Sequence, residues 1–227
     1  MISGLLFPSL KDTRCCPINL DAEAAEWLRG NSRELENTER NPLLDPTVCQ
    51  AMLDDFHQRN GADWSYGGYM EDRRRVWRGS YLDRAGNYLH LGVDFNVAQA
   101  TEIAAGFPCR VMLVDNDNDT DGGWGMRVFL MPDHSLLWNV VLIYAHLRNV
   151  LAEAGDALSR GAVFAEVGGP PHNGNWHPHL HVQAVRDYYF KQILVERFTE
   201  LDGYGHPDES RQLRECFPDP MPYLDMS

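Results

Sequence analysis

The hydrophobic pattern changes character near residue 76. Before it, apolar positions recur at helical spacing. Asp21 to Leu28 (DAEAAEWL) is a short helical pattern opened by an acidic cap and stopped by Gly30. Asp45-Pro46 supplies an N-cap and a first-turn proline for a helix over Thr47 to Arg59, with Ala51, Met52, Leu53 and Phe56 apolar and Gly61 ending it. RELENTERNP is a polar connector between them. Residues 1–75 therefore predict a small helical N-terminal segment, packed on or occluding a main domain that runs from 76 to 227. Beyond Val76 the pattern turns to short apolar runs punctuated by turn residues. Tyr88 to Val97, Cys109 to Val114, Met126 to Met131, Val140 to Tyr144, Val163 to Val167 and Leu180 to Val185 each suit a strand. Tyr188 to Leu201 predicts a helix near the C-terminus. The expected fold class is mainly β (α+β overall), with helical additions at both ends.

Composition changes this picture only by exclusion. At 227 residues the chain is long enough for one good core. Its formal charge of -13 repels nucleic acid and anionic membranes, both of which are bound mainly through Lys and Arg. No apolar run reaches the roughly 18–20 residues that span a bilayer. The N-terminus shows neither a basic region nor a small-residue cleavage site. The five cysteines, two of them adjacent and none in C-x-x-C spacing, do not read as a disulfide framework. The expectation is a cytoplasmic protein without nucleic-acid or membrane partners. The sequence is silent on oligomeric state.

The candidate chemistry lies in three places. In His90-Leu-Gly-Val-Asp94, strand alternation puts positions 90, 92 and 94 on one face, and Gly92 leaves that face open. Imidazole and carboxylate are an ordinary ligand pair for zinc. His179-Leu-His181 again sets two imidazoles on one strand face. Three protein ligands and an open position make a catalytic zinc site, so His90, Asp94 and one of the 179/181 pair complete it, leaving the other histidine to handle a proton. His146, ending the run VVLIY-A, is a candidate to stabilise developing charge.

H-x-G-x-D, then Y-x-H-L, then H-x-H, in that order, resembles the signature of the M23 (lysostaphin- and LytM-like) metallopeptidases. The resemblance runs from about Tyr88 to Gln183 and takes in the turn GGWG and the segment GGPPHNGNWHPHLHVQ. It implies a compact antiparallel β-sheet domain with its site in a groove between loops. It implies one Zn2+ held by His90, Asp94 and His181, His179 as the general base, His146 as the histidine that stabilises the transition state, and a peptide as substrate. Peptidoglycan is one such substrate. In some relatives an N-terminal extension blocks the groove, so latency is an alternative.

The remaining signals read more plainly. His172 and His177 are expected as loop residues, His134 as a turn residue, and His57 and His206 carry no argument. The run Asp115 to Gly123 fits only the first half of a calcium loop, because Val128 stands where the bidentate Glu belongs, so a solvated turn is expected. Arg73-Arg74-Arg75 reads as a solvated turn beside a buried Trp77, or else as an anion contact. Trp124 and Trp176 either line a groove or anchor loops. H-x-H also opens the motif of cupin-like oxygenases, but Val185 stands where that motif needs a Glu.

Overall fold

The computed structural model describes residues 3–31, 40–133, 139–196 and 201–224. His134, most of the polar connector and the end of the helix expected over Tyr188–Leu201 lie outside them. The N-terminal third holds α1 (Ser3–Leu6), β1 (Cys15–Pro17), α2 (Leu20–Gly30), α3 (Pro46–Asn60) and β2 (Trp64–Gly67). Next come α4 (Tyr81–Ala85), β3 (Leu89–His90), β4 (Val93–Asn96), β5 (Glu102–Ala104), β6 (Cys109–Asp117), β7 (Gly125–Pro132) and β8 (Val140–Arg148). Then follow β9 (Ala157–Leu158), β10 (Val163–Val167), β11 (Leu180–Arg186), α5 (Asp187–Glu196), β12 (Tyr204–Gly205), α6 (Ser210–Cys216) and α7 (Met221–Leu224). Among the described residues no helix is long and apolar enough to cross a membrane.

One large sheet organises the molecule in the order β1-β2-β4-β11-β8-β7-β6-β9, with β10 pairing β5 and β8. Every pairing is antiparallel except β1 with β2. Alternation along β8 explains the two layers beside it. Leu142 and Tyr144 point into a core with Trp64, Phe95, Phe164 and Val182. Val141 and Ile143 point the other way, onto Phe129, Val185 and Phe190 of α5. A third cluster joins α2 and α3 to Val76 and Trp77 through Leu28, Leu43, Met52 and Leu53.

Helix α3 is built as its sequence dictates. The Asp45 carboxylate accepts from the amides of Thr47 and Val48, Pro46 takes the first turn, and Gly61 ends the helix in the left-handed region at φ 58°. Helix α2 departs from expectation. Its cap is Asn19, whose side chain accepts from Ala22 N. Asp21 instead reaches across to accept from the amides of Arg75 and Val76, at 2.8 and 3.0 Å. A tertiary anchor has taken the carboxylate that local reading assigned to a cap.

The Tyr88–Val97 run also divides. Leu91 N donates to Gly203 O at 2.9 Å, so β3 pairs with β12 while β4 enters the main sheet between β2 and β11. Asp94 then lies directly opposite His181, with Gly67 on its other side. The Asp/Asn run closes the β6–β7 hairpin through local turns, Asp117 Oδ1 accepting from Asp119 N and Asp119 Oδ1 from Asp121 N.

Candidate metal centre

Cross-strand register does the first part of assembling the site. Asp94 and His181 are paired across β4 and β11, so two neighbouring strands deliver polar residues to one spot, and His146 follows Ala145, the residue opposite His181 on β8. His90 arrives from the short β3. Gly92 makes the approach possible in a more specific way than alternation suggests. A Cβ there would stand 2.5 Å from both Cε1 and Nε2 of His181, so the position must be bare for that ring to lie where it does.

Hydrogen bonds to groups behind the site fix the state of each donor. The His90 Nδ1–H donates to the Gly68 carbonyl at 2.9 Å, leaving Nε2 as a lone pair. The His181 Nε2–H donates to Gln183 Oε1 at 3.2 Å, and Gln183 is oriented by donating from Nε2 to Asp202 O at 3.1 Å. His181 Nδ1 is thereby the bare nitrogen. It lies 3.0 Å from His90 Nε2 and 2.9 Å from Asp94 Oδ1, while His90 Nε2 is 3.4 Å from the same oxygen. Three lone pairs converge with their protons held elsewhere, a mutually repulsive arrangement that a cation relieves. These separations match the roughly 3.3 Å edges of a tetrahedron whose ligands stand about 2.0 Å from its centre. His90, Asp94 and His181 could hold a metal ion, and all three are buried.

Asp94 has a second partner that local sequence gives no sign of. Arg73, only 2% exposed, donates from a terminal guanidinium nitrogen to Asp94 Oδ2 at 2.6 Å and lies over the Trp77 ring. It is no solvated turn residue. Arg74 and Arg75 do face solvent, and Arg73 turns inward because Asp94 and Glu71 offset its burial. Burial alone pushes the Asp94 carboxyl up, but His90 and Arg73 outweigh it and hold it well below the usual carboxylate range. Burial, then Arg73, pushes His90 down to about 4.

Two further histidines flank the trio. The His179 Nδ1–H donates to the His177 carbonyl at 2.8 Å, which frees Nε2 to face Asp94 Oδ1 at 3.9 Å. His146 stacks at a tilt on His179, ring centroids 4.4 Å apart. It reaches that place through a β-bulge. Met126 pairs with Leu147 and Val128 with Tyr144, so Ala145 and His146 together oppose Arg127, and His146 takes φ 61°. Its Nδ1 is buried without a hydrogen-bond partner. Burial first, and the neighbouring His179 second, drive His146 well below the ordinary histidine range, and burial lowers His179 as well. Both imidazoles are neutral bases at neutral pH.

His177 stands apart from these. Its Nε2–H donates to Asn96 Oδ1 at 3.0 Å, and its Nδ1 faces the Cys49 thiol of α3 at 3.3 Å. It is a loop residue, as expected, and is fully buried within the fold. Trp176 beside it lines the groove and also anchors a loop, its indole N–H donating to Leu43 O at 2.8 Å. Trp124 likewise lines the groove, edge-on to His181 at 5.3 Å. Sequence reading left Arg73 open within its triplet and missed Gln183 and the Cys49–His177–Asn96 chain. Only Gln183 carried a local signal, the same-face position two residues beyond His181.

The family model described as Peptidase family M23 matches residues 88–191. No curated protein matches the chain. Among solved structures, the chain is 20% identical to the catalytic domain of the antimicrobial peptidase lysostaphin from Staphylococcus simulans, over 60% of this chain and 80% of that one, with a TM-score of 0.42. Full lysostaphin from the same organism gives 21% identity over 60% of this chain and 43% of its own length, TM-score 0.41. A zinc-containing peptidase from Vibrio cholerae gives 21% over 44% of this chain and 28% of its own, TM-score 0.37. His90, Asp94, His146, His179 and His181 all fall inside the matched residues. Arg73, Cys49 and the aromatic residues Trp77, Tyr81 and Tyr204 that also face the groove or brace it fall outside.

Proposed function

We propose that this chain is a zinc-dependent peptidase with one ion held by His90 Nε2, Asp94 and His181 Nδ1. The observation that carries this reading is the convergence of three donor atoms on residues whose outward atoms are each committed to a partner behind them. Bound there, zinc supplies a Lewis acid for the substrate carbonyl and lowers the pKa of a water towards neutrality. The protein's own groups do the rest. His179 takes up a proton at Nε2, oriented by the His177 carbonyl. His146, next to it and neutral, donates to the charge that develops on the carbonyl oxygen. Trp124 and Trp176 narrow the approach and limit water around the reacting atoms. The substrate is a peptide, of which a peptidoglycan-type peptide is one form. The stretch through residue 75 is not purely helical, since its β1 and β2 join the main sheet, and it supplies Leu44 to the groove's lining.

Elemental analysis of protein purified without chelator, set beside His90→Ala and combined with peptide hydrolysis, tests this. About one zinc per chain and cleavage in the natural chain, both lost in the variant, is the expected result. A variant that keeps zinc and activity overturns it.

A further inference from the structure

A continuous wall of rings leads outward from the candidate metal centre, and residues outside the stretch matched by the family model build it. Trp77 meets His90 edge-on with centroids 6.1 Å apart, Tyr204 meets Trp77 at 6.3 Å, and Tyr81 meets Tyr204 at 5.9 Å. Leu44 and Leu82 line the same groove. The wall starts buried at Trp77 and ends at Tyr81, which is 40% exposed. Gly122 is bare where a Cβ would stand 2.1 Å from the Tyr81 ring, and the Tyr81 hydroxyl donates to Gly122 O at 3.1 Å. That bond fixes the ring and occupies its polar end, so the wall presents mainly ring faces and aliphatic carbon. Such a surface gains little from a glycine and much from a large hydrocarbon group.

We propose that Trp77, Tyr81, Tyr204, Leu44 and Leu82 form a subsite for a bulky apolar side chain, aromatic or branched aliphatic, next to the bond that is cut. The proposal rests on the peptidase reading for its substrate but not for its binding surface. Its place is set by continuity with the donor trio: a peptide held with a carbonyl at His90, Asp94 and His181 lays a neighbouring side chain along the rings.

The test uses the full zinc-loaded chain and a mixed peptide library, with mass spectrometry reporting the residues beside each cut. Phe or Leu is expected at one flanking position, with kcat/KM at least about tenfold above the matched Gly peptide. In Tyr81→Ala and in Leu44→Ser that ratio is expected to fall to within about threefold. Equilibrium binding of N-acetylphenylalaninamide against N-acetylglycinamide, by calorimetry, reads the subsite without turnover. Thermal unfolding of both variants separates loss of the wall from loss of the fold, and the exposed Tyr81 is the safer of the two. Cleavage with no side-chain preference, or a preference for Gly, overturns the subsite. If no peptide is cut but the phenylalanine amide still binds more tightly and the variants abolish that difference, the subsite stands and the peptidase reading falls. If neither amide is distinguished, the subsite is wrong.

Discussion

Two histidines four residues apart show what separates a candidate ligand from a brace. His177 and His181 are both buried, and both have each ring nitrogen near a polar atom. At His177 the ring pairs a donor with an acceptor on one side, Asn96 Oδ1, and a thiol on the other, so its requirements are met within the fold. At His181 one nitrogen is satisfied by Gln183, and the other meets a second bare nitrogen and a carboxylate oxygen. Residue type and burial are the same for both. The sum of lone pairs at the meeting point differs, and that sum is what calls for a cation.

Asp94→Ala makes the sharpest break. It removes one of the three donors and leaves Arg73 buried without its closest anion, so zinc affinity is expected to fall well beyond the 10–100-fold typical of lost outer partners. Losing one partner of a buried pair also costs about 3–5 kcal/mol of stability. Zinc titration and denaturant unfolding measure the two parts separately. His179→Ala is expected next: activity down about 10²–10⁴-fold with zinc content unchanged, read by kcat beside metal analysis. Gln183→Leu, which frees the His181 ring to turn, is expected to weaken zinc binding about 10–100-fold while leaving the saturated enzyme active.

His177→Phe sharpens the contrast from the other side. It strands Asn96 Oδ1 and the Cys49 thiol, so a loss of about 1–3 kcal/mol is expected on denaturation, with zinc stoichiometry intact. Loss of zinc in this variant, at full folding, would erase the distinction between brace and ligand.

The smallest effect is on the pH dependence of metal-free protein. Burial lowers His57, His146, His177 and His179, and pushes His90 to about 4. A histidine with a lowered folded pKa binds fewer protons than its unfolded counterpart. Its stabilising contribution is therefore complete above about pH 6.5 and is lost as pH falls towards the folded value. The melting temperature of the apo protein should drop between pH 7 and pH 5, and His177→Phe should flatten that slope. A melting temperature that rises on acidification contradicts the burial of these neutral rings.

The candidate donors stand out in the short motifs around His90 and His181, and alternation made most of the strands beyond Val76 legible. Alternation nevertheless gave the wrong cause for Gly92, which makes room for the His181 ring in a chain that bends between β3 and β4. Arg73 was illegible within an arginine triplet, since its neighbours in sequence look identical and only packing against Asp94 selects it. Asp21 misled because a carboxylate at a helix start serves a cap or a distant amide equally well. Cys49 and His177 are 128 positions apart, beyond the reach of any local pattern. What was missed holds the candidate ligands in place, mostly from a distance in sequence.

The bulge at His146 sets the molecule's stability against its chemistry. A non-glycine residue in the left-handed region costs on the order of 1 kcal/mol or more, and glycine or asparagine at the same φ would recover much of it. His146→Gly should therefore melt at a higher temperature than the natural chain while losing the ring that stacks on His179. Strain at this position is what the catalytic role proposed for His146 predicts, since that role needs the imidazole whatever its backbone costs.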